Sequence, residues 1–222
     1  MTRHIHKEID RLKRRVLALG GVVENNLEKA TGAVLRNDEA LAAEVIASDK
    51  DVDETEVEIE EECLKILALY QPVAADLRFV VAVLKLNNDL ERIGDLAVNI
   101  AEKLTAVRQA DPGLRPQTFP HMIECVRSMF RKSLDALINL DTDEARAVGA
   151  ADDEVDDLHR AMFGYVIEGM KQNPDSAEAL VHFLSISRYL ERVADHATNI
   201  AEDVIYMTEG LIVRHGVGAP EA

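Results

Sequence analysis

The chain has 222 residues, of which 47% are hydrophobic and only 4% aromatic, and its formal net charge is −16. A protein this acidic is repelled by nucleic-acid phosphates and by anionic lipid surfaces, so we expect no nucleic-acid partner and no membrane insertion. No stretch approaches the roughly 20 apolar residues of a membrane span, and the N-terminus lacks the apolar run of a signal peptide. We therefore expect a cytoplasmic protein with an aliphatic core of the kind that helix bundles have.

Apolar residues spaced by three and four predict three helices in the first half of the chain. They recur from Ile5 to Val34, from Leu41 to Ile66 and from Phe79 to Leu104. Asp38 is a candidate N-cap for the second helix, and Pro72 ends that helix because proline disfavours helical geometry in the residue before it. Connections this short make neighbouring helices antiparallel.

The second half shows the same pattern with three further helices. Apolar residues recur from Met122 to Leu140, from Val148 to Tyr165 and from Phe183 to Met207. The longest break in the chain, residues 109–120, contains three prolines and a glycine and separates the two halves. It is typical of a linker between two bundles.

A segment of the third helix recurs in the sixth. Residues 90–102 read LERIGDLAVNIAE and residues 190–202 read LERVADHATNIAE, with nine of thirteen positions identical. We therefore predict an all-α fold, a tandem duplication of two antiparallel three-helix bundles. The predicted units are residues 1–107, a linker at 108–118, residues 119–210, and a loose tail at 211–222.

Matching pairs of carboxylates, four residues apart, lie beside the core stripes of four helices. The pairs are Asp49 and Asp53, Glu91 and Asp95, Asp152 and Asp156, and Glu191 and Asp195. Residues four apart share a helix face, so the two pairs of each unit converge where its second and third helices pack. Four such groups cannot all stay ionised without a cation, so the pattern predicts a metal site in each unit. Carboxylate oxygens suit Mg²⁺, Ca²⁺, Mn²⁺ or iron, and zinc is less favoured without Cys or His.

These residues also have interpretations that involve no metal. A single acidic pair is usually a solvated helix face, and Arg92 and Arg192 can simply pair with neighbouring carboxylates. His159 lies three residues after a predicted ligand, and Glu56 occupies the matching position in the first half. Both side chains can be additional metal ligands or can have a structural role only.

Two asparagines and two cysteines have their own interpretations. Asn99 and Asn199 can be ligands or buried amides that set the register of the helices. Cys63 and Cys125 are interpreted as small buried hydrophobic residues in a reducing compartment.

At the repeated motif the sequence resembles the PhoU family. The E(D)xxxD motif of that family is present as Glu91-Arg-Ile-Gly-Asp95 and as Glu191-Arg-Val-Ala-Asp195, and the segment QPVAADLR at residues 71–78 is also PhoU-like. The resemblance covers nearly the whole chain. It implies two three-helix bundles, frequent homodimers, and multinuclear metal sites, often of iron or zinc, while the carboxylate chemistry leaves manganese or magnesium as alternatives. The ligands it implies are the eight carboxylates of the four pairs, although Arg188 stands beside the second site where Asn88 stands beside the first.

The resemblance also implies a regulatory role without catalysis. PhoU-type proteins are thought to act by contact between the ATPase component of the phosphate ABC transporter and a sensor histidine kinase. They restrain phosphate uptake and keep the phosphate-starvation response off when phosphate is plentiful.

Two other functions compete with this one. A ferritin-like di-metal enzyme needs Glu-x-x-His on two helices, but Gly94 and Ala194 stand where those histidines belong, and His196 is out of register. A structural helical scaffold that binds no metal is the second alternative, and metal analysis of protein purified without chelator separates it from the regulator.

Overall fold

The structure, a computed structural model, describes residues 2–108 and 114–213 of the chain. Within these residues the regular elements are helices, and none of them forms a strand. The helices of the first half are α1 (Thr2–Arg36), α2 (Glu39–Tyr70), α3 (Ala74–Glu102) and α4 (Leu104–Arg108). Those of the second half are α5 (Phe119–Asn139), α6 (Thr142–Ala150), α7 (Asp152–Gln172) and α8 (Ala177–Glu209), with a 3₁₀ turn (Pro174–Ser176) before α8.

Equivalent aspartates cap the second helix of each half. The side chain of Asp38 accepts hydrogen bonds from two first-turn N–H groups of α2 at 3.1 and 3.2 Å. The side chain of Asp141 does the same for α6, at 3.0 Å for both bonds. Each cap satisfies amides that have no partner within the helix. The predicted N-cap at Asp38 is therefore confirmed, and the duplication repeats it.

The predicted fifth helix is interrupted once. α6 ends at Ala150, and the N–H of the following Ala151 bonds to the carbonyl of Val148 at 3.1 Å in a 3₁₀-type turn. α7 then begins with the acidic residues Asp152, Asp153 and Glu154, where the positive end of the helix dipole favours negative charge. The expectation of one continuous helix across Ala151 is wrong, and Asp152 lies in the first turn of a new helix.

Helices α1, α2 and α3 pack together as one bundle, and α5, α6 and α7 pack against α8 as a second. α3 and α8 pack against each other, so the buried aliphatic side chains form one continuous cluster through both halves. The prediction of an all-α fold made of two three-helix units is confirmed. Its fifth helix is in two pieces, and its third ends at Glu102, so that the predicted last residue, Leu104, begins α4.

Parts of the predicted organisation lie outside the described residues. These parts are residues 109–113 of the linker and residues 214–222 of the tail. The unit boundaries therefore stay predictions. In the part of the chain that the structure covers, no helix combines the length and the apolar character needed to cross a membrane.

A polar bridge joins the two halves where α3 meets α8. The nearly buried Asp89 of α3 has its Oδ1 atom 2.8 Å from Nδ1 of His196 and accepts a hydrogen bond from Asn199 at 3.2 Å. Lys85, one turn earlier on α3, lies 3.7 Å from Asp203, one turn later on α8, so the two helices run antiparallel. This contact supports the interpretation of Asn199 as an amide that sets the register of the helices, rather than as a metal ligand.

Candidate metal centres

Carboxylates of the first half come together on one face of α2 and α3. Asp49 and Asp53 lie one turn apart on α2, and Asp95 of α3 approaches them, so that one oxygen from each lies within 4.8 Å of the others. Gly94 lies at the close approach of the two helices, where an added Cβ atom would be 3.2 Å from Cγ1 of Val52. We call this group, together with Glu91, the first cluster.

Glu91 contributes a buried oxygen to the first cluster. Its Oε2 atom is buried and has no hydrogen-bond partner among the described residues, although Nε of Arg92 lies 3.5 Å away. Burial raises the pKa of the Glu91 carboxyl, and the carboxylates of Asp95 and Asp53 raise it further, against the opposing charge of Arg92. A buried oxygen without a hydrogen bond, among like charges, is a site that a cation would stabilise.

Asp49 is a second member of the first cluster whose ionised form is disfavoured. Burial raises the pKa of this carboxyl, and the neighbouring carboxylates of Asp53, Asp95 and Glu102 raise it further. Since like charges disfavour one another, a bound cation would lower the energy of the fully ionised state.

The second half brings the matching carboxylates together between α7 and α8. The pKa of Asp152 is raised to about 6, first by burial and then by the carboxylates of Asp195 and Asp156. Burial also raises the pKa of Glu191, and Asp156 raises it further. These four carboxyl groups form the second cluster, at positions equivalent to those of the first.

Arg188 makes the two clusters unequal. Its positive charge opposes the effect of burial on the pKa of Glu191, whereas Asn88 stands at the matching position of the first half. Among the residues that the structure covers, the second cluster has no carboxylate triplet as tight as that of Asp49, Asp53 and Asp95. These two differences predict weaker metal binding at the second cluster than at the first.

Each cluster has a hydrogen-bonded pair at its margin that sequence reasoning found only in part. In the first half the buried Asn87 donates to Oε1 of Glu56 at 3.0 Å. At the matching positions of the second half, Nδ1 of His159 lies 2.8 Å from Oγ of the buried Ser187. Glu56 and His159 were candidates, but Asn87 and Ser187 were missed. The repeat could have indicated them, because Asn87 and Ser187 correspond to each other and lie one turn before Glu91 and Glu191.

Ser187 also determines which nitrogen of His159 can bind a metal. The Ser187 hydroxyl donates its hydrogen to the carbonyl of Leu184 at 2.9 Å, so Nδ1 of His159 must donate to the hydroxyl oxygen. This arrangement leaves Nε2 with its lone pair. Burial, followed by the charge of Arg188, lowers the pKa of His159, so the neutral ring is favoured.

The structure also places three other residues considered in the sequence analysis, Arg92, Cys63 and Cys125. Arg92 lies 3.6 Å from Asp95 and 3.5 Å from Glu91, which confirms that it pairs with neighbouring carboxylates. Cys63 is buried, as expected, and burial raises the pKa of its thiol to about 12. The expectation of a buried Cys125 is wrong, because it lies half-buried at the surface of α5.

The donor atoms of the first cluster lie close enough together to hold a metal ion, and the matching carboxyl groups of the second also oppose one another's ionisation. The buried Oε2 of Glu91 has no hydrogen bond among the described residues, and the clustered carboxylates oppose one another's ionisation. The first cluster offers oxygen donors alone, which suit hard cations. The second adds the imidazole of His159, a donor that zinc and iron also accept.

The carboxylate clusters predict that the metal-free protein becomes more stable as the pH falls. The pKa of Asp152 is about 6 in the folded chain against an ordinary value of 3.8, so the folded state binds this proton more tightly. Stability should therefore rise as the pH falls from above 6 towards 4. Thermal unfolding of chelator-treated protein should show a higher Tm at about pH 5 than at about pH 7.5.

Asp152→Asn is the control for this pH dependence. It should raise the Tm at the higher pH and reduce the difference between the two conditions, because the carboxyl that takes up the proton is gone. A Tm that falls on acidification, equally in both proteins, would show that the clusters do not govern stability in this range.

The PhoU domain family model matches the chain twice, at residues 16–104 and 119–204. Two relatives are each called phosphate-specific transport system accessory protein PhoU homolog. The one from Pseudomonas putida is 36% identical over 222 residues, which cover 97% of this chain and 86% of the relative. The one from Aquifex aeolicus is 37% identical over 212 residues, which cover 95% of this chain and 96% of the relative.

Solved structures show the same fold. The crystal structure of PhoU from Pseudomonas aeruginosa matches with a TM-score of 0.88 and 33% identity, covering 93% of this chain and 99% of that one. The phosphate transport system regulatory protein PhoU from Streptococcus pneumoniae matches with a TM-score of 0.85 and 29% identity, covering 94% and 99%. The double domain match, the relatives and the shared fold show that this chain belongs to the PhoU family.

Proposed function

We propose that this protein is a non-enzymatic regulator of phosphate transport. It restrains phosphate uptake and the phosphate-starvation response by contact with the ATPase component of the phosphate ABC transporter and with a sensor histidine kinase. The names of its relatives, an accessory protein and a regulatory protein of phosphate transport, support this proposal. The observation that carries it is the pair of carboxylate clusters at matching positions of the two halves.

In this proposal both clusters bind metal. The first set of ligands is Asp49, Asp53, Glu91 and Asp95, and the second is Asp152, Asp156, Glu191 and Asp195. The ions are iron, zinc, manganese or magnesium, and they supply positive charge that neutralises each cluster. The His159 nitrogen makes the second cluster the better candidate for zinc or iron, while the oxygen donors of the first suit a harder ion.

Neutralising the clusters would change which surfaces the protein can contact. Without metal, each cluster repels an acidic partner surface and favours a basic one. With metal, the same face loses most of its negative charge, so its choice of partner depends on metal occupancy. A homodimer, which the family resemblance implies, would present two copies of each face.

Deletion of the gene tests the proposed function. In phosphate-rich medium, the deletion strain should express a phosphate-starvation reporter that the parent strain keeps off, and a plasmid copy of the gene should silence the reporter again. A reporter that stays off in the deletion strain would contradict the regulatory role. Metal analysis of protein purified natively without chelator then separates the metal-binding regulator from the metal-free scaffold.

A further inference from the structure

A second kind of donor cluster lies in the second bundle, where α5 meets α7. Nε2 of His121 is 2.9 Å from Oε1 of Glu154, and Sγ of Cys125 is 3.8 Å from the same nitrogen. The three donor atoms lie within 4.8 Å of one another. His121 and Cys125 are one turn apart on α5, and Glu154 lies in the first turn of α7.

The distances are close to those that a tetrahedral zinc ion needs. With bonds of about 2.0 to 2.3 Å, its ligand atoms stand about 3.3 to 3.6 Å apart. His121 and Glu154 are exposed and Cys125 is half-buried, so their side chains can turn to bring the three donor atoms to this spacing. A cleft of about 230 Å³ beside Cys125 and Glu154 leaves room for a hydrated ion to approach.

This cluster does not come from the duplication. The shift that carries the N-cap Asp38 onto Asp141 also carries Ala18, Val22 and Asp51 onto His121, Cys125 and Glu154. The first half thus has a carboxylate at the third position but neither imidazole nor thiol at the other two. The three donors are a property of the second half alone, separate from both carboxylate clusters.

We propose that His121, Cys125 and Glu154 form a zinc-type site, with Nε2, Sγ and a carboxylate oxygen as three ligands and water as the fourth. Mixed nitrogen, sulfur and oxygen donors suit Zn²⁺ and Co²⁺ better than Mg²⁺ or Ca²⁺. When the ion binds, the thiol loses its proton to solvent and the sulfur binds as thiolate. The ion then links α5 to α7 within the second bundle.

Cobalt titration of the full chain tests this site apart from the carboxylate clusters. Only a sulfur ligand gives the near-ultraviolet thiolate-to-cobalt charge-transfer band, so oxygen-bound cobalt stays silent in this measurement. The wild-type protein should develop the band with one equivalent of sulfur-bound Co²⁺, and Zn²⁺ should abolish it. Cys125→Ser should lose the band, and Glu154→Gln should weaken Co²⁺ binding at least about tenfold.

The matched control moves the thiol to the equivalent position of the first half. The double variant Cys125→Ser with Val22→Cys keeps the cysteine count, and Val22 is exposed, so the substitution fits. This variant should show no band, because Ala18 and Asp51 occupy the positions in the first half that His121 and Glu154 occupy in the second, and alanine supplies no ligand. A wild-type protein without the band, or a band that survives Cys125→Ser, would overturn the proposal whether or not the protein regulates phosphate transport.

Discussion

Replacing Asp53 and Asp95 together by alanine is expected to remove the metal proposed for the first half and to leave the metal proposed for the second half in place. These two side chains come from different helices and share the tightest carboxylate group with Asp49. Without them, the first cluster keeps only Asp49 and Glu91. Loss of two ligands should weaken binding by more than the roughly 10- to 100-fold that follows loss of an outer-shell partner.

Metal content after native purification checks this result. The matched control is Asp51→Ala with Asp135→Ala, which removes two exposed carboxylates outside both clusters and should leave the metal content unchanged. Asp156→Ala with Asp195→Ala should deplete the second half in the same way. If the Asp53 and Asp95 variant keeps the wild-type stoichiometry, these side chains are not ligands.

The same variant should be more stable than the wild type when both are free of metal. The removed carboxylates raise the pKa of Asp49 and Glu91, which means that they disfavour the ionised forms of these groups. Their removal relieves that repulsion in the folded state. Denaturant unfolding in the presence of a chelator would measure the difference.

Charge reversal at Glu91 and Glu191 is expected to abolish regulation while the fold persists. Glu91→Lys with Glu191→Lys places a positive charge in each cluster, which opposes metal binding and inverts the charge that a partner meets. Both glutamates are only partly buried, so the long lysine side chains can extend to solvent. In the deletion strain, this variant should leave the starvation reporter expressed in phosphate-rich medium.

Two measurements make the charge-reversal result decisive. The variant must reach the wild-type protein level and helical circular dichroism, so that unfolding does not explain the loss. The control Asp51→Lys with Asp135→Lys adds the same charge at exposed positions outside the clusters and should complement the deletion. Full complementation by the Glu91 and Glu191 variant would show that the clusters are not functional surfaces, and only the family relationship would still support the proposed role.

The helices and the duplication were predictable because their signals are local. Apolar residues spaced by three and four lie on one helix face, and this depends only on the local sequence. Asp38 and Asp141 cap helices through amides two and three residues away, also a local interaction. The repeated motif at residues 90–102 and 190–202 then indicated which helices correspond. The predicted third and fifth helices, interrupted at Lys103 and at Ala151, kept their apolar spacing while the backbone turned.

The carboxylate pairs were predictable for the same reason, since each pair is one turn of one helix. Their convergence across α2 and α3, and across α7 and α8, followed from the expectation that these helices pack. What sequence reasoning missed were partners on a different helix, such as Asn87 for Glu56 and Ser187 for His159. Small buried polar residues in an apolar stripe carry little signal until their neighbours are known.

The sequence by itself therefore determined the helices, their duplication and the chemical identity of the carboxylate pairs. Only the tertiary structure decided that Asp89 bonds across to α8 and that His121 and Cys125 meet Glu154. The physical reason is that helical periodicity places side chains along one axis. The meeting of side chains on separate helices depends on the rotation and axial offset of each helix, and the packing of the whole core determines both.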